Sequence, residues 1–595
     1  MNYPSTVVII DRMYARTVKV RSSNGSVNEY VRVVEAYREG GKVKQRVVAD
    51  LGRKDLLVEI LPKLRRLLAG DTDDEPGDPA ALHVGEATTW GPVLVVRALF
   101  DQLGLWDILD QHLGKAKGVP FADRAFALVA NRLIAPTSEH GLAGWLETDF
   151  VCDRTGRRFL PHWHRRRRVR VHPRQLDAWY RTLDQLLQAK EHIEVALYHR
   201  LRDLFSFRPD LVLYDITSTY FEGAGPDDFA EHGYSRDGKP HNVQVIVGVV
   251  MVAGWPIAHH VWAGNRIDHS TVQEVINDLR RRFAFGRLVF VGDRGMVTEA
   301  NLEAITRDEH GFLVGAKRRR NPRIDGWLEA VDEAKWVTCP GGINTRERKA
   351  DPPRTRAQEV LSGDPAVRVI VIDSDERRTY ERAKREQAME RARQRLEQLQ
   401  ERVAAGELKR AEKIGAAVER VMQRYHGYRY FDWKLTAGGL EFTESAERLG
   451  RERRIEGKYV VMTGEKDLSI PDAVALYKEL TEVESGFRQL KDVLGMRPIY
   501  HRIEPRVKAH IFVAALALLV QRLLGRRLQE AGVDLSPVRA LQALATVRLV
   551  TFHLEGQPER RGVTGGCPDA RLVLKALKLA DQRPPVPPAG EETVL

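Results

Sequence analysis

Leu211-Val212-Leu213-Tyr214-Asp215-Ile216-Thr217-Ser218-Thr219-Tyr220-Phe221 runs from an apolar, β-branched segment into a carboxylate and then into small hydroxyl residues. The pattern predicts a strand that ends at Asp215. Leu288-Val289-Phe290-Val291-Gly292-Asp293-Arg294-Gly295-Met296 repeats it. Between them lie two further strand-like runs, Val243 to Val252 and Pro256 to Trp262, and a helical pattern from about Ser270 to Phe285. Three strands, a helix and another strand predict an α/β mixed sheet. Taken singly, either Asp reads as a strand-end residue that caps a turn. Delivered side by side by one sheet, two carboxylates repel unless cations neutralise them. Hard cations such as Mg²⁺ bind carboxylate oxygens and keep water and substrate phosphate as their other ligands.

A third carboxylate, Glu484, lies on the predicted helix Asp472 to Leu494. Leu476, Leu480, Val483, Phe487, Leu490 and Leu494 form its apolar stripe. Tyr477, Glu484 and Lys491 are spaced by seven and share a line along the stripe's edge, with Arg488 one turn from Glu484. This line suits a metal ligand set among phosphate contacts. A solvated Glu484–Arg488 pair at i,i+4 is the plainer alternative.

Composition narrows the partners. The chain has 595 residues, which predicts about three to five domains. It is 43% hydrophobic and 30% charged, with formal net charge +12. That apolar content excludes a wholly disordered chain, and the charge makes a polyanion the expected partner. Cys152, Cys339 and Cys567 are far apart with no CxxC spacing, so neither a disulfide framework nor a zinc ribbon is expected. No secretory signal is read at the N-terminus. The longest apolar run, about Ile511 to Val520, is shorter than the ~20 residues of a membrane span. A cytoplasmic protein without a membrane partner is the resulting expectation.

Residues 154–176 hold nine arginines, three histidines and no acid, with Arg165, Arg166, Arg167 and Arg168 consecutive after Trp163. Arginines in that density neutralise phosphates. A solvated or internally paired loop is the alternative. Helical periodicity before and after Gly406 predicts a charged hairpin of two helices. The organisation expected is a small β-rich domain over 1–70, an acidic linker over 71–82, and a helical, Arg-rich DNA-binding region over 83–205. The first part of the catalytic core follows over 206–320, then an insertion with the hairpin and strands over 321–455. The core's last part spans 456–500, a helical region 501–582, and a disordered Pro-rich tail 583–595.

Tyr214-Asp215-Ile216-Thr217-Ser218-Thr219, Val291-Gly292-Asp293-Arg294-Gly295 and Tyr477-x2-Leu480-x3-Glu484-x2-Phe487-Arg488-x2-Lys491 together resemble the DDE transposases of bacterial insertion sequences, of the insertion-sequence-four superfamily type. Gly233-Tyr234-Ser235-Arg236-Asp237-Gly238-Lys239-Pro240 and Gly264-Asn265-Arg266-x-Asp268 are similar to that type as well. The resemblance is strong over about 205–320 and 455–525.

The resemblance implies an RNase H-like core interrupted by a large insertion. In that core Asp215, Asp293 and Glu484 hold two Mg²⁺ ions, with Mn²⁺ able to substitute. It also implies a Tyr-x2-Arg-x3-Glu-x6-Lys signature, matched here at Tyr477, Glu484 and Lys491 but with Leu480 where the signature has Arg. Tyr477, Arg488, Lys491, Arg294, Arg236 and Lys239 are the implied DNA contacts near the chemistry, alongside Arg165 to Arg168. The implied activity is metal-dependent cleavage at transposon ends and transfer of the 3′-OH into target DNA by a homodimer on double-stranded DNA. The alternatives are a nuclease of the same fold without strand transfer and a transposase-derived DNA-binding protein lacking catalysis. Trp327, Trp336 and Trp433 are aromatic candidates by location in the insertion, with core packing favoured for each.

Overall fold

The computed structural model describes residues 9–10, 13–21, 27–39, 42–54, 57, 61, 82–159, 163–165, 168–170, 173–206, 211–266, 268–283, 285, 288–292, 298–307, 309–316, 321–339, 354–554, 560–579, 581–590 and 593–594. At its centre is a nine-stranded sheet. In chain order its strands are β1 Leu211–Tyr220, β2 Gln244–Val252, β3 Trp255–Ala263, β4 Val289–Gly292, β5 Gly311–Gly315, β6 Val337–Cys339, β7 Thr355–Val360, β8 Arg368–Ser374 and β9 Lys458–Thr463. The spatial order is β3-β2-β1-β4-β5-β9-β8-β7-β6. β1, β2 and β3 are antiparallel neighbours. β4 runs parallel to both β1 and β5. This is the α/β mixed sheet expected from the sequence.

The sheet is covered on both faces, which is why β2 is apolar almost throughout and buried at every position. Side-chain alternation along β1 separates the two covers. Val212, Tyr214 and Ile216 pack with Val275, Ile276, Leu279 and Phe283 of α1 (Val272–Phe283). Leu213 faces the other way, into a core shared with Leu480, Val483 and Phe487 of α2 (Ile470–Arg488) and with α3 (Glu504–Glu530). α2 starts where its chemistry dictates: the Ser469 side chain accepts from the Asp472 N–H at 3.2 Å, with Pro471 in the first turn.

Strands β6 to β8 of the insertion extend the central sheet through β9. The rest of the insertion has its own core. Helices Asp375–Ala404 and Ala411–Arg424 pack Met389, Leu396, Ile414 and Val418 against Phe431 and Leu440 of a β-hairpin. Trp433 packs against that core and Trp327 is buried in another. Trp336 is held by Glu333 and by the Arg356 guanidinium, 4.4 Å from its ring centroid.

The helical parts before and after the central sheet are one body. α3 packs against helices Phe121–Ile134 and Pro173–Phe205, and strand Leu82–Thr89 pairs with Arg548–Leu554. α3 is 27 residues long and, by length and composition alone, could cross a membrane; 83% of its apolar window is buried inside the fold. It is the central helix of this body. Two contacts involve the C-terminal end. Thr593–Val594 forms a short strand parallel to Arg158–Phe159, and Trp90 donates to the Gln582 carbonyl at 2.6 Å.

Near the N-terminus, strands Ile9–Ile10, Met13–Arg21, Val27–Glu39 and Lys42–Arg53 form a separate antiparallel sheet. Residues 71–81 of the expected linker lie outside the described residues.

Candidate active site

Asp215 is not at a strand end. β1 continues to Tyr220, because β2 pairs with it from Leu213 through Tyr220. On its other side β1 is paired with β4 only as far as Tyr214, opposite Gly292. Among the described residues, that parallel pairing ends one residue before Asp215. The half-buried Asp215 side chain accepts the Ile216 N–H at 2.8 Å. By strand alternation it belongs with Leu213, on the sheet face that α2 covers. Asp293 and Arg294, which follow Gly292 in sequence, lie outside the described residues.

Glu484 sits in the last turns of α2 and is exposed, as is Arg488. Neighbouring Leu480, Val483 and Phe487 are buried and fix the helix on the Asp215 face. Leu480, the departure from the family signature, is a core residue. Tyr477 is half-buried; its ring stacks on Tyr459 at 5.7 Å, and its hydroxyl occupies the space a β-carbon at Gly315 of β5 would take.

Lys491 lies beyond the helix, in the π-helical turn Gln489–Val493. That wider turn breaks the seven-residue line expected for Tyr477, Glu484 and Lys491. The Lys491 ammonium is 2.6 Å from Oδ1 of Asp237, and the Arg497 guanidinium is 2.6 Å from the same oxygen. Burial pushes the Lys491 pKa down, while Asp237 opposes that shift.

Asp237 comes from the loop between β1 and β2, whose sequence was singled out above. The loop is tied to β1: the Arg236 N–H donates to Ser218 Oγ at 3.1 Å. The Arg236 guanidinium lies 5.9 Å from the Tyr234 ring centroid, and the Lys239 ammonium 6.0 Å from that of Tyr220. The sequence reading passed over Asp237 and Arg497. The available signal was a single acid inside the basic loop Arg236-Asp237-Gly238-Lys239.

A family model described as "Transposase DDE domain" matches residues 207–520. The chain belongs to this family. A second model, "IS1634 family transposase, N-terminal domain", matches residues 15–80. The two matches make the protein a DDE insertion-sequence transposase. No curated protein matches it in sequence. Among solved structures, a piggyBac transposase synaptic complex with hairpin DNA is similar at 8% identity and TM-score 0.36, over 78% of this chain and 82% of that one.

The transposase's Arg-rich segment divides in two. Arg154 is paired with Asp123 at 2.9 Å and also with Asp110. Arg157 pairs with Asp153 at 2.8 Å and Arg158 with Glu86 at 2.8 Å. These three arginines hold the fold. Trp163–Arg165 and Arg168–Arg170 pair as a short antiparallel ribbon carrying the backbones of Arg165 and Arg168. Arg166 and Arg167 lie outside the described residues.

One group among the described residues of the transposase has metal-ligating composition at close range: Glu139, His501 and His510. Its cation is already present. The buried Arg132 guanidinium is 3.0 Å from His510 Nδ1, 3.8 Å from Glu139 and 3.2 Å from the Gly495 carbonyl. His510 Nε2 lies 3.3 Å from the Met496 carbonyl, so both ring nitrogens face protein partners. Burial, first, and Arg132, second, hold the His510 pKa well below its ordinary value. The cluster ties helix Phe121–Ile134 to the segment after α2.

Proposed function

We propose that this protein is a DNA transposase that cuts the ends of its mobile element and joins the freed 3′-OH to target DNA. The observation that carries the reading is the placement of Asp215. It lies one residue past the described β1–β4 pairing, on the sheet face covered by the helix that bears Glu484. The reading for Asp293 rests on its position in sequence directly after Gly292, the last residue of β4.

The donor set fits hard divalent cations, because it is made of carboxylates on a sheet and a packed helix. Asp215, Asp293 and Glu484 would hold Mg²⁺ or Mn²⁺. When bound, such metals supply charge neutralisation at the phosphate and at the attacking and leaving oxygens. Arg236, Lys239, Arg488 and Arg294 would contact phosphates near the scissile bond, and Arg165 to Arg168 would bind the duplex farther away. Lys491, through its bond to Asp237, would hold the β1–β2 loop in place. The functional complex is read as a cytoplasmic homodimer bridging two DNA ends.

The test uses a supercoiled plasmid carrying the DNA that flanks the gene. Wild type should nick it with Mg²⁺ and produce joined strands. Asp215→Asn and Glu484→Gln should each lower nicking at least about 100-fold, the upper range for groups that merely support metal ligands. Undiminished nicking by both variants would remove the site assignment. Nicking without joined products would make the protein a nuclease.

A further inference from the structure

Tyr234 and Tyr500 are 82% and 61% exposed, and both are anchored to the end of β1. The Tyr234 carbonyl accepts from the Gln244 side chain at 3.3 Å, and two residues on, Arg236 is bonded to Ser218. Tyr500 follows Ile499, whose N–H donates to the Tyr220 carbonyl at 3.1 Å and whose carbonyl accepts from Glu222 at 3.0 Å. Both rings thus stand in solvent on backbone that is hydrogen-bonded to the sheet. Cations lie in the same segments: Arg236 beside Tyr234, Lys239 beside Tyr220, and Arg497, bonded to Asp237, three positions before Tyr500 in sequence.

Aromatic faces interleaved with cations are the composition of single-strand binding sites, where bases stack and phosphates are neutralised. Paired bases inside a duplex present no free face.

We infer that Tyr234 and Tyr500 form a stacking platform for unpaired nucleobases of a DNA strand that passes the end of β1. The inference rests on the reading of the protein as a DNA-acting transposase. Arg236 and Lys239 serve the platform by contacting the phosphates of the stacked nucleotides.

The test is a titration of the full-length protein, with Ca²⁺ in place of Mg²⁺, into a single-stranded oligodeoxynucleotide containing 2-aminopurine. A blunt duplex of the same sequence is the comparison. Wild type should quench the single-strand fluorescence. The double variant Tyr234→Ala/Tyr500→Ala should lose the quenching and bind the single strand roughly tenfold more weakly. Its duplex affinity and melting curve should be unchanged, because both side chains are exposed. Tyr234→Phe/Tyr500→Phe should keep the quenching, since the ring face remains. A double alanine variant that quenches like wild type overturns the platform. Wild type that binds the duplex but not the single strand also overturns it, leaving the transposase reading intact. Wild type that binds neither DNA overturns both.

Discussion

Lys491, on the π turn after the glutamate helix, is bonded to Asp237, a buried carboxylate of the loop between β1 and β2. Arg497 shares the same oxygen. Two segments more than 250 positions apart are thereby joined. The bond gives this loop a fixed position, and with it Arg236 and Lys239.

Removing the shared carboxylate should destabilise the protein. Asp237→Ala leaves Lys491 buried without its counter-charge, and breaking a buried pair from one side costs about 3 kcal/mol or more. Arg497 is partly exposed and loses less. Urea unfolding followed by tryptophan fluorescence should show the midpoint falling. An unchanged midpoint would mean that the triad holds nothing together.

The Glu139–His501–His510 group should not depend on metal. Arg132 already fills it, so dialysis against EDTA should leave the melting temperature unaltered. Arg132→Met should instead lower stability strongly, by about 3 kcal/mol, because Glu139 and the Gly495 carbonyl lose a buried partner. A melting temperature that drops with EDTA and recovers with zinc would reverse the assignment.

Stability should decline on the acid side. His259 Nδ1 lies 2.9 Å from Glu194, with Lys190 and Arg282 on the same carboxylate. Burial pushes the His259 pKa from 6.5 to about 4, and Lys190 adds to that, against the pull of Glu194. The unfolded chain therefore takes up a proton that the folded chain refuses. This contribution is whole above pH 6.5 and is lost as pH falls toward 4. Glu194, whose pKa is lowered mainly by Lys190 and His259 against burial, acts in the same direction at lower pH. Denaturation midpoints measured across this range should fall more steeply for wild type than for His259→Gln. Parallel curves for the two proteins would refute the account.

The Arg-rich segment should separate into two roles on mutation. Arg165→Ala/Arg168→Ala should weaken duplex binding and lower the slope of log affinity against log salt by about two, one per lost phosphate contact. Arg154→Ala should act on stability instead, because Asp123, buried, loses its ion pair. Equal effects of both on the salt slope would show that the division is wrong.

Local pattern made much of this protein legible. Apolar runs ending near Asp215 and Asp293, the stripe of Leu480, Val483 and Phe487 beneath Glu484, and the periodicity around Gly406 are short-range signals. Each depends on residues a few positions apart, and periodicity reports which face of an element is buried. The strand–strand–helix order of three acids added specificity that no single acid carries.

Partnership over long distances was not legible. The sequence alone determined that a basic chain forms an α/β mixed sheet with Asp215 on a strand and Glu484 on a packed helix. Tertiary structure decided that β1 runs past Asp215 to Tyr220, that Lys491 meets Asp237, and that Arg154 serves Asp123 and Asp110. It also decided that the helical segments on either side of the central sheet share one core around α3. The physical reason is that an ion pair or a strand neighbour depends on distance in space. Charge type and hydropathy announce a need for a partner, and only the folded chain selects which one meets it.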